Sequence, residues 1–362
     1  MSTLAFIGFS YWIISSLSGF HRSILQGQWH LGTFGIDAVI TVQAVFVALI
    51  AVYAVILIPY YAAYPWLRSK SFTFAQGLWF ALRRRRRIRA AELASGRGSM
   101  RLPSSVPLSP AAKQAGLALL LKFFFAPLMI NWCLMHIANL TGSLQGLIDG
   151  IQSGITGRAL FDGSFYWAAF QLILFVDTLL FTLGYIVEVP ALGNRIRSVD
   201  PTFFGWFICL ICYPPFNDFT GRFLEWQSSD FPYFANDVVH IAINMVVLIA
   251  LAIFSWASVA LGFKASNLTN RGIVSHGPYA YVRHPAYAAK NLAWWLGALP
   301  TLGMLLAAGN WRGAAYALLA LTGWTTIYVL RALTEERHLL MANNGYAEYA
   351  QAVRWRFVPG VW

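Results

Sequence analysis

Gly277-Pro-Tyr-Ala-Tyr-Val-Arg-His-Pro-Ala-Tyr287 is a polar stretch set among hydrophobic runs, and Arg331-Ala-Leu-Thr-Glu-Glu336 forms a second one downstream. Between them lie two apolar runs joined by a short turn, residues 292–308 and 314–330. If both runs cross a membrane, the second polar stretch returns to the face from which the first one left. The pattern therefore predicts a C-terminal helical hairpin with polar side chains gathered at one end.

The composition is typical of a membrane protein. Of the 362 residues, 58% are hydrophobic and only 11% are charged, whereas soluble globular proteins carry roughly 25% charged residues. Several apolar runs approach the ~20 residues that span a bilayer, and the ~10-residue alternating segments of membrane β-barrels are absent. These features predict an all-α, polytopic helical protein embedded in a lipid bilayer.

Eight apolar runs are candidates for transmembrane helices. They are residues 4–20, 36–67, 116–140, 165–187, 201–216, 237–263, 292–308 and 314–330. The run at 201–216 is the weakest, because it is short and ends in Pro214-Pro215. It is either a thin or tilted span, or a re-entrant piece packed against protein.

Positive charge is concentrated in one hydrophilic segment. Eleven of the 26 Lys and Arg residues fall between Arg68 and Lys113, where Glu92 is the only acid. The positive-inside rule places this segment in the cytoplasm. Counting 201–216 as a crossing then puts the basic segment 264–290 on the same side, so we predict about eight spans with both termini and the polar end of the hairpin cytoplasmic.

The charge also favours anionic lipid headgroups, and without a nucleic-acid-binding motif no nucleic-acid partner is predicted.

Composition divides the chain into four parts. N-terminal transmembrane helices occupy residues 1–67, a basic cytoplasmic loop 68–115, central transmembrane helices 116–236, and a core with a C-terminal cytoplasmic helix 237–362. Within the basic loop, Leu78 to Arg87 predicts a helix on the membrane surface. The residues from Ser95 to Pro107 have the composition of a flexible linker.

The polar end of the hairpin carries groups suited to binding. Pro285 fits the first turn of a helix, which places Arg283 and His284 at a helix N-terminus that can receive a carboxylate or phosphate. Arg331 and Glu335 are four residues apart on the return helix. Interfacial anchoring by snorkelling side chains and a simple helical ion pair explain the same residues equally well. The residues alone leave both interpretations open.

The return helix also carries Glu335 and Glu336, two acceptors for ribose hydroxyls or an amino group. His338 shares the face of Glu335 because the two are three residues apart. The three cysteines lie in apolar runs and show no metal-ligand spacing, so they are interpreted as small apolar residues and no metal site is predicted.

Asp177 lies near the middle of the run at 165–187. An acid at that depth is costly unless it faces a partner or water. His136, Asn131 and Lys122 on the preceding run are the predicted partners. An interhelical hydrogen bond and a place in a substrate path are both compatible with the sequence.

The motif Gly-Pro-Tyr-x-Tyr-Val-Arg-His-Pro-x-Tyr, followed by two apolar runs, Glu-Glu and Gly345-Tyr-x-Glu-Tyr349, resembles the isoprenylcysteine carboxyl methyltransferase family. The superfamily includes the small phospholipid N-methyltransferases. The resemblance covers roughly residues 264–359. It implies an integral membrane methyltransferase that uses S-adenosylmethionine on a lipidic or prenylated acceptor, with carboxylate O-methylation favoured over amine N-methylation. Lys290-Asn291 departs from the family pattern, and residues 1–235 match nothing in it.

The resemblance implies a cofactor site at the cytoplasmic end of the hairpin. Carried over, the cofactor-binding residues are Tyr279, Arg283, His284, Pro285, Ala286, Tyr287 and Glu335. Arg331 is implied to orient the methyl acceptor. His284 or Glu336 would accept the proton of an amine acceptor, and residues 271–274 lie where the family has upstream cofactor contacts.

Two other interpretations stay open. Membrane reductases of the sterol type, which use NADPH, have a similar motif and a related hairpin, but they usually carry a longer tail and this chain shows Glu335-Glu336 instead. A transporter is the non-enzymatic alternative, supported by Asp177, Lys122 and Asn244 within spans, although no internal repeat is visible. The sequence identifies neither the acceptor nor the oligomeric state.

Overall fold

A computed structural model describes residues 2–33, 36–94, 107–342 and 344–361. The structure is mostly helical, with 74% of residues in helices and few in strands. The α-helices are α1 Ser2–Trp12, α2 Gly19–Leu25, α3 Val42–Ala63, α4 Lys70–Ala94, α5 Pro110–Gln152, α6 Gly157–Leu160, α7 Tyr166–Ile186, α8 Phe203–Leu210, α9 Phe216–Phe223, α10 Asp237–Leu261, α11 Pro285–Gly297, α12 Leu299–Ala307, α13 Trp311–Met341 and α14 Tyr346–Ala352.

Two small antiparallel sheets correct the all-α prediction. Strands β1 Gln28–Thr33 and β2 Ile36–Thr41 form one hairpin, and β3 Ser198–Val199 pairs with β4 Thr269–Asn270. The apolar run predicted as a span from residue 36 therefore begins with a strand, and its helix starts only at Val42. A β-strand and a buried helix of similar composition cannot be separated by hydrophobicity alone.

The chain forms two compact units. The first contains residues 1–27 and 43–127, and the second contains residues 28–42 and 128–362. In the first unit, only 6% of the apolar window of α3 is buried, as expected for a helix that is apolar on all faces and contacts lipid. The predicted helix from Leu78 to Arg87 is confirmed as part of α4, while its position on a membrane surface stays a prediction. The predicted linker lies, except for Pro107, outside the described residues.

In the second unit, α10 packs against α7 and α11, and α13 packs against α8, α11 and α12. Between helices that cross a membrane, close van der Waals packing and interhelical hydrogen bonds hold such a unit together, because lipid tails are as apolar as the side chains. One core cluster lies between α7, α10 and α11, and it contains Phe161, Tyr166, Phe170, Val247, Leu248, Ala250, Leu251 and Ala293. A second cluster joins α8 to α13 and contains Ile208, Trp324, Ile327 and Tyr328.

Among the described residues, five helices are long and apolar enough to cross a membrane. They are Val42–Ala63, Pro110–Gln152, Gly157–Ile186, Asp237–Lys264 and Trp311–Met341. A sixth span is present if Ser2–Leu17 and Gly19–Leu25, which meet at 98°, count as one. The multi-pass membrane character is thus supported, whereas the count of about eight is not confirmed.

The difference in count comes from two predicted runs that are broken. Residues 201–216 do not form one span, because α8 and α9 are eight residues each and are separated by a turn that ends at Pro215. The run at 292–308 is divided at Ala298 into α11 and α12. Pro300 lies in the first turn of α12, and proline cannot donate the backbone hydrogen bond that would continue α11.

Candidate functional site

A cavity of about 270 Å³ lies in the second unit, between α7, α10, α11, α13 and the loop that contains β4. Most of the predicted site residues line this cavity, and they are Tyr279, Arg283, His284, Ala286, Tyr287, Arg331 and Glu335. Pro285 and Glu336 are not among the lining residues. The two polar stretches are therefore brought together as predicted, with Glu336 behind the cavity wall.

The first polar stretch enters the site through a tight turn. Gly277 has φ of 62°, a left-handed conformation that glycine adopts without a steric penalty. It begins a short 3₁₀ turn that ends at Ala280, and α11 then starts at Pro285 with His284 as the residue before it. The predicted helix start at Pro285 is confirmed.

The C-terminal tail is bound to this stretch by backbone hydrogen bonds. The amide of Arg283 donates to the carbonyl of Trp355 at 2.9 Å, and the amide of His284 donates to that of Arg356 at 2.8 Å. The Tyr349 hydroxyl donates to the carbonyl of Tyr279 at 2.8 Å. Burial raises the pKa of Tyr349 to about 12, so its hydroxyl keeps the proton for this bond.

Glu336 is the anionic centre of a buried cluster. The His284 Nε2 lies 3.1 Å from its Oε1, the Arg283 Nε lies 3.0 Å from the same oxygen, and the Arg356 Nε donates to its Oε2 at 3.1 Å. The Arg283 contact has ion-pair distance without hydrogen-bond alignment, because its Nε has no hydrogen-bond partner among the described residues. With the carboxylate only 5% exposed, its removal would leave buried positive charge uncompensated. Glu336 thus fixes the ring of His284 and the tail.

Glu335 has a different environment from its neighbour. Its carboxylate accepts a hydrogen bond from the Tyr287 hydroxyl, and its side chain is 30% exposed. The Arg331 Nη2 lies 4.0 Å away, and the His284 Nδ1 also lies 4.0 Å away. Glu335 therefore presents a carboxylate to the cavity that can accept further hydrogen bonds.

Arg331 is held by an asparagine that the sequence did not indicate. Its Nη2 donates to Asn267 Oδ1 at 2.9 Å, and its guanidinium carbon lies 5.2 Å from the ring centroids of Tyr287 and Tyr328. Asn267 is fixed in turn by the Tyr185 hydroxyl, which accepts from its backbone and side-chain nitrogens at 2.8 and 2.9 Å. No local sequence pattern marks Asn267, because its partners are 64 and 82 residues away.

Arg271 is a second buried guanidinium in the cavity wall and is 2% exposed. Its Nη1 donates to the carbonyl of Asn194 at 2.8 Å, whereas Nε and Nη2 have no hydrogen-bond partner among the described residues. Burial lowers the pKa of Arg271, yet an arginine stays charged in proteins. Buried donors without acceptors are costly, so this position is suited to an anionic ligand group.

Of the other polar residues named from the sequence, some line the cavity and one pairs with a residue on another helix. Arg331, Glu335 and His338 all line the cavity, as their helical spacing predicts, and His338 Nε2 lies 2.9 Å from Ser198 Oγ. Asp177 also lines the cavity, but its predicted partners are wrong, because its carboxylate accepts from Ser258 on α10. His136 instead pairs with Gln171 at 2.7 Å.

Residues 225–353 match the profile of a family described as a protein of unknown function, DUF1295. This family lies in the neighbourhood of the steroid 5α-reductase-like proteins and the membrane methyltransferases. No curated protein matches the chain. The matched segment contains α10 to α14 and every predicted site residue, whereas Asp177, Tyr185 and Asn194 lie before it.

Proposed function

We propose that the protein is an integral membrane methyltransferase that uses S-adenosylmethionine and acts on a lipidic or isoprenoid-linked acceptor, with carboxylate O-methylation favoured. The observation that carries this proposal is the chemistry of the cavity wall. A partly exposed carboxylate, Glu335, lies in the same cavity as two buried guanidinium groups with unpartnered N–H donors, Arg271 and Arg331. Three of the surrounding helices, α7, α10 and α13, are long and apolar enough to cross a membrane.

The donor set fits the groups of this cofactor. S-adenosylmethionine carries a carboxylate, an amino group, ribose hydroxyls and a sulfonium. Arg271 offers two N–H donors to a carboxylate, and Glu335 offers acceptors to hydroxyl or ammonium groups. The rings of Tyr279 and Tyr287 line the cavity and are suited to a cationic sulfur.

When bound, the cofactor supplies a methyl group that is already activated on the sulfonium. The chain's own residues then have to align the acceptor and exclude water. Arg331 is the residue we assign to orienting the acceptor, and Asn267 with two tyrosine rings limits the movement of its guanidinium. A carboxylate acceptor needs no base, whereas an amine acceptor would give its proton to His284. Glu336 acts through His284 as a positioning residue.

The contacts of the second unit support two further crossings by broken helices, which together with the six candidate spans make the eight that we propose. Residue 198 lies beside His338 near the end of α13, whereas Glu225 donates its amide to the hydroxyl of Tyr316 near the start of α13. These two positions on α13 are about 33 Å apart at 1.5 Å per residue, close to the ~30 Å hydrocarbon core of a bilayer. The chain between them, which contains α8 and α9, traverses this depth as a broken helix, and α11 with α12 does the same.

A reductase that uses NADPH is the second candidate. The observation that favours it is the match of residues 225–353 to a family in the neighbourhood of the steroid 5α-reductase-like proteins. The two candidates require different cofactors in the same cavity. Cofactor binding therefore separates them without knowledge of the acceptor.

The test is isothermal titration of the purified full chain in lipid nanodiscs with S-adenosylmethionine and, separately, with NADPH. We expect S-adenosylmethionine to bind and NADPH not to bind. Glu335→Gln and Arg271→Met should each weaken S-adenosylmethionine binding about tenfold or more, because each removes a charge-assisted hydrogen bond. Glu348→Gln, which changes an exposed acid on α14, is the matched control and should bind like the unchanged protein.

Two results would reject the methyltransferase proposal. Binding of NADPH in place of S-adenosylmethionine would favour the reductase. Binding of neither cofactor by protein that shows a cooperative thermal transition would reject both enzymes and leave the transporter interpretation.

A further inference from the structure

Lys290 places an ammonium group between α10, α11 and α13, where no described residue forms a hydrogen bond or an ion pair with it. The residue lies on α11 and lines the cavity. Its Nζ is 5.3 Å from the ring centroid of Phe254, 5.4 Å from that of Trp294 and 5.7 Å from that of Tyr328. Within the described ranges its Nζ makes no hydrogen bond and no ion pair within 4.0 Å, and the acids whose charge acts on it from further away are Asp177 and Asp230.

Three rings alone do not satisfy an ammonium group. Each ring attracts the positive charge, but the three N–H donors of lysine also need acceptor atoms. A charge among membrane helices is costly unless it is paired or hydrated. A snorkelling lysine would extend its ammonium towards the interface, whereas Lys290 directs it between α10, α11 and α13.

The two acids whose charge acts on Lys290, Asp177 and Asp230, do not contact its ammonium group. Asp177 lines the same cavity, but its carboxylate accepts from Ser258, and the two residues form no ion pair within 4.0 Å. The ring of Tyr328 receives Lys290 at 5.7 Å and Arg331 at 5.2 Å. Two cations that share one ring repel each other unless an anion lies between or beside them. Among the described residues, Lys290 therefore has no carboxylate in direct contact with its ammonium group.

We propose that Lys290 binds an oxyanion of the lipidic acceptor, either a carboxylate or a phosphate, and so determines which acceptors enter. The site lies about 4.5 Å further along α11 than Tyr287, at 1.5 Å per residue. It is separate from Arg271 and Glu335, which we assign to the cofactor. Apolar lining residues, Met129, Phe181 and Leu261, can take the hydrocarbon part. That the bound molecule is a methyl acceptor rests on the proposed function, whereas the oxyanion contact does not.

The test measures lipid binding to the full chain by native mass spectrometry. The probes are oleate and dioleoyl phosphatidate, each compared with a neutral match, methyl oleate or dioleoylglycerol. The variants are Lys290→Met, Lys290→Arg and, as matched control for lost surface charge, Lys113→Met, because Lys113 is exposed. Lys290→Met keeps the length of the side chain, and a thermal unfolding scan checks that it folds.

We expect the unchanged protein to bind one anionic probe more tightly than its neutral match. Lys290→Met should lose this preference by about tenfold or more, the size of one charge-assisted hydrogen bond, while Lys290→Arg and Lys113→Met keep it. Loss of the preference for oleate identifies a carboxylate, and loss of the preference for phosphatidate identifies a phosphate.

Two results overturn the proposal. One is that folded Lys290→Met binds each anionic probe as tightly as the unchanged protein does. The other is that the unchanged protein shows no preference for either anionic probe over its neutral match. Titration of S-adenosylmethionine on the same preparations separates the two proposals. If the cofactor does not bind but Lys290→Met loses the anionic probe, the methyltransferase is rejected and the oxyanion site stands. If the cofactor binds but Lys290→Met keeps the probe, only the oxyanion site is rejected.

Discussion

Glu335 and Glu336 are adjacent in the chain, yet their surroundings give them different tasks. Successive residues of a helix point about 100° apart, since a turn contains 3.6 residues. Glu335 faces the cavity and Tyr287, whereas Glu336 faces Arg283, His284 and the tail. The pair in the motif is therefore one acid that faces the cavity and one acid that holds the first polar stretch and the tail together.

This difference predicts unequal losses of stability for two matched substitutions. Glu336→Gln should lower the free energy of unfolding by about 1–3 kcal/mol, because it removes the negative charge from a buried cluster of cationic groups. Glu335→Gln removes a charge from a partly exposed side chain and should change stability less. Thermal unfolding of both variants in the same detergent checks this, and equal losses would contradict the assignment of separate tasks.

At the scale of elements, the site depends on how closely α7 approaches the loop that follows α10. Gly184 of α7 lies against the carbonyl oxygen of Ala265, and a Cβ at this position would overlap that oxygen. The close approach lets Tyr185 reach Asn267, which in turn holds Arg331. A glycine in a helix that faces lipid or solvent has no such role.

Gly184→Ala should therefore destabilise the protein by about 1–3 kcal/mol, the usual cost of overpacking. It should also weaken binding of S-adenosylmethionine, because Asn267 and Arg331 shift together. Gly142→Ala on α5 is the control, since no atom lies within 4 Å of the added Cβ and alanine favours a helix by up to about 1 kcal/mol. Unfolding midpoints and titrations of the two variants provide the comparison. If Gly184→Ala behaves like Gly142→Ala, the close approach is not needed.

At the scale of the whole molecule, the membrane topology depends on the broken stretches. Among the described residues, five continuous helices are long and apolar enough to cross, or six with the bent pair near the N-terminus. The eight crossings that we propose add a traverse between residues 198 and 225, which contact opposite ends of α13. Because each crossing reverses sidedness, this traverse is needed to keep the candidate site on the side of the basic segment, in agreement with the positive-inside rule.

Cysteine labelling tests this topology directly. The starting variant has Cys133, Cys209 and Cys212 replaced, and one cysteine is then introduced at a time. Arg83→Cys and Arg354→Cys should react with an impermeant maleimide only after permeabilisation of the cells. A cysteine at Arg312, an exposed residue in the first turn of α13, should react in intact cells. Labelling of Arg354→Cys in intact cells would place the candidate site outside and contradict the predicted count.

The sequence by itself determined the features that depend on neighbours in the chain. Apolar length predicted the long helices α7, α10 and α13, Pro285 predicted the start of α11, and the spacing of Arg331, Glu335 and His338 placed them on one face. These signals are readable because residues three and four apart in a helix share a face.

Only the tertiary structure decided which residues complete the site. Asn267, Arg271 and Lys290 obtain their roles from helices and loops tens of residues away, and Asp177 meets Ser258 across 81 positions. No periodic pattern encodes such contacts, because they depend on how the helices pack. The breaks at Pro214-Pro215 and at Ala298 could not be predicted from the sequence for a similar reason. A proline in an apolar run does not show whether the chain turns back or continues across the membrane. Packing against α13 decides that outcome.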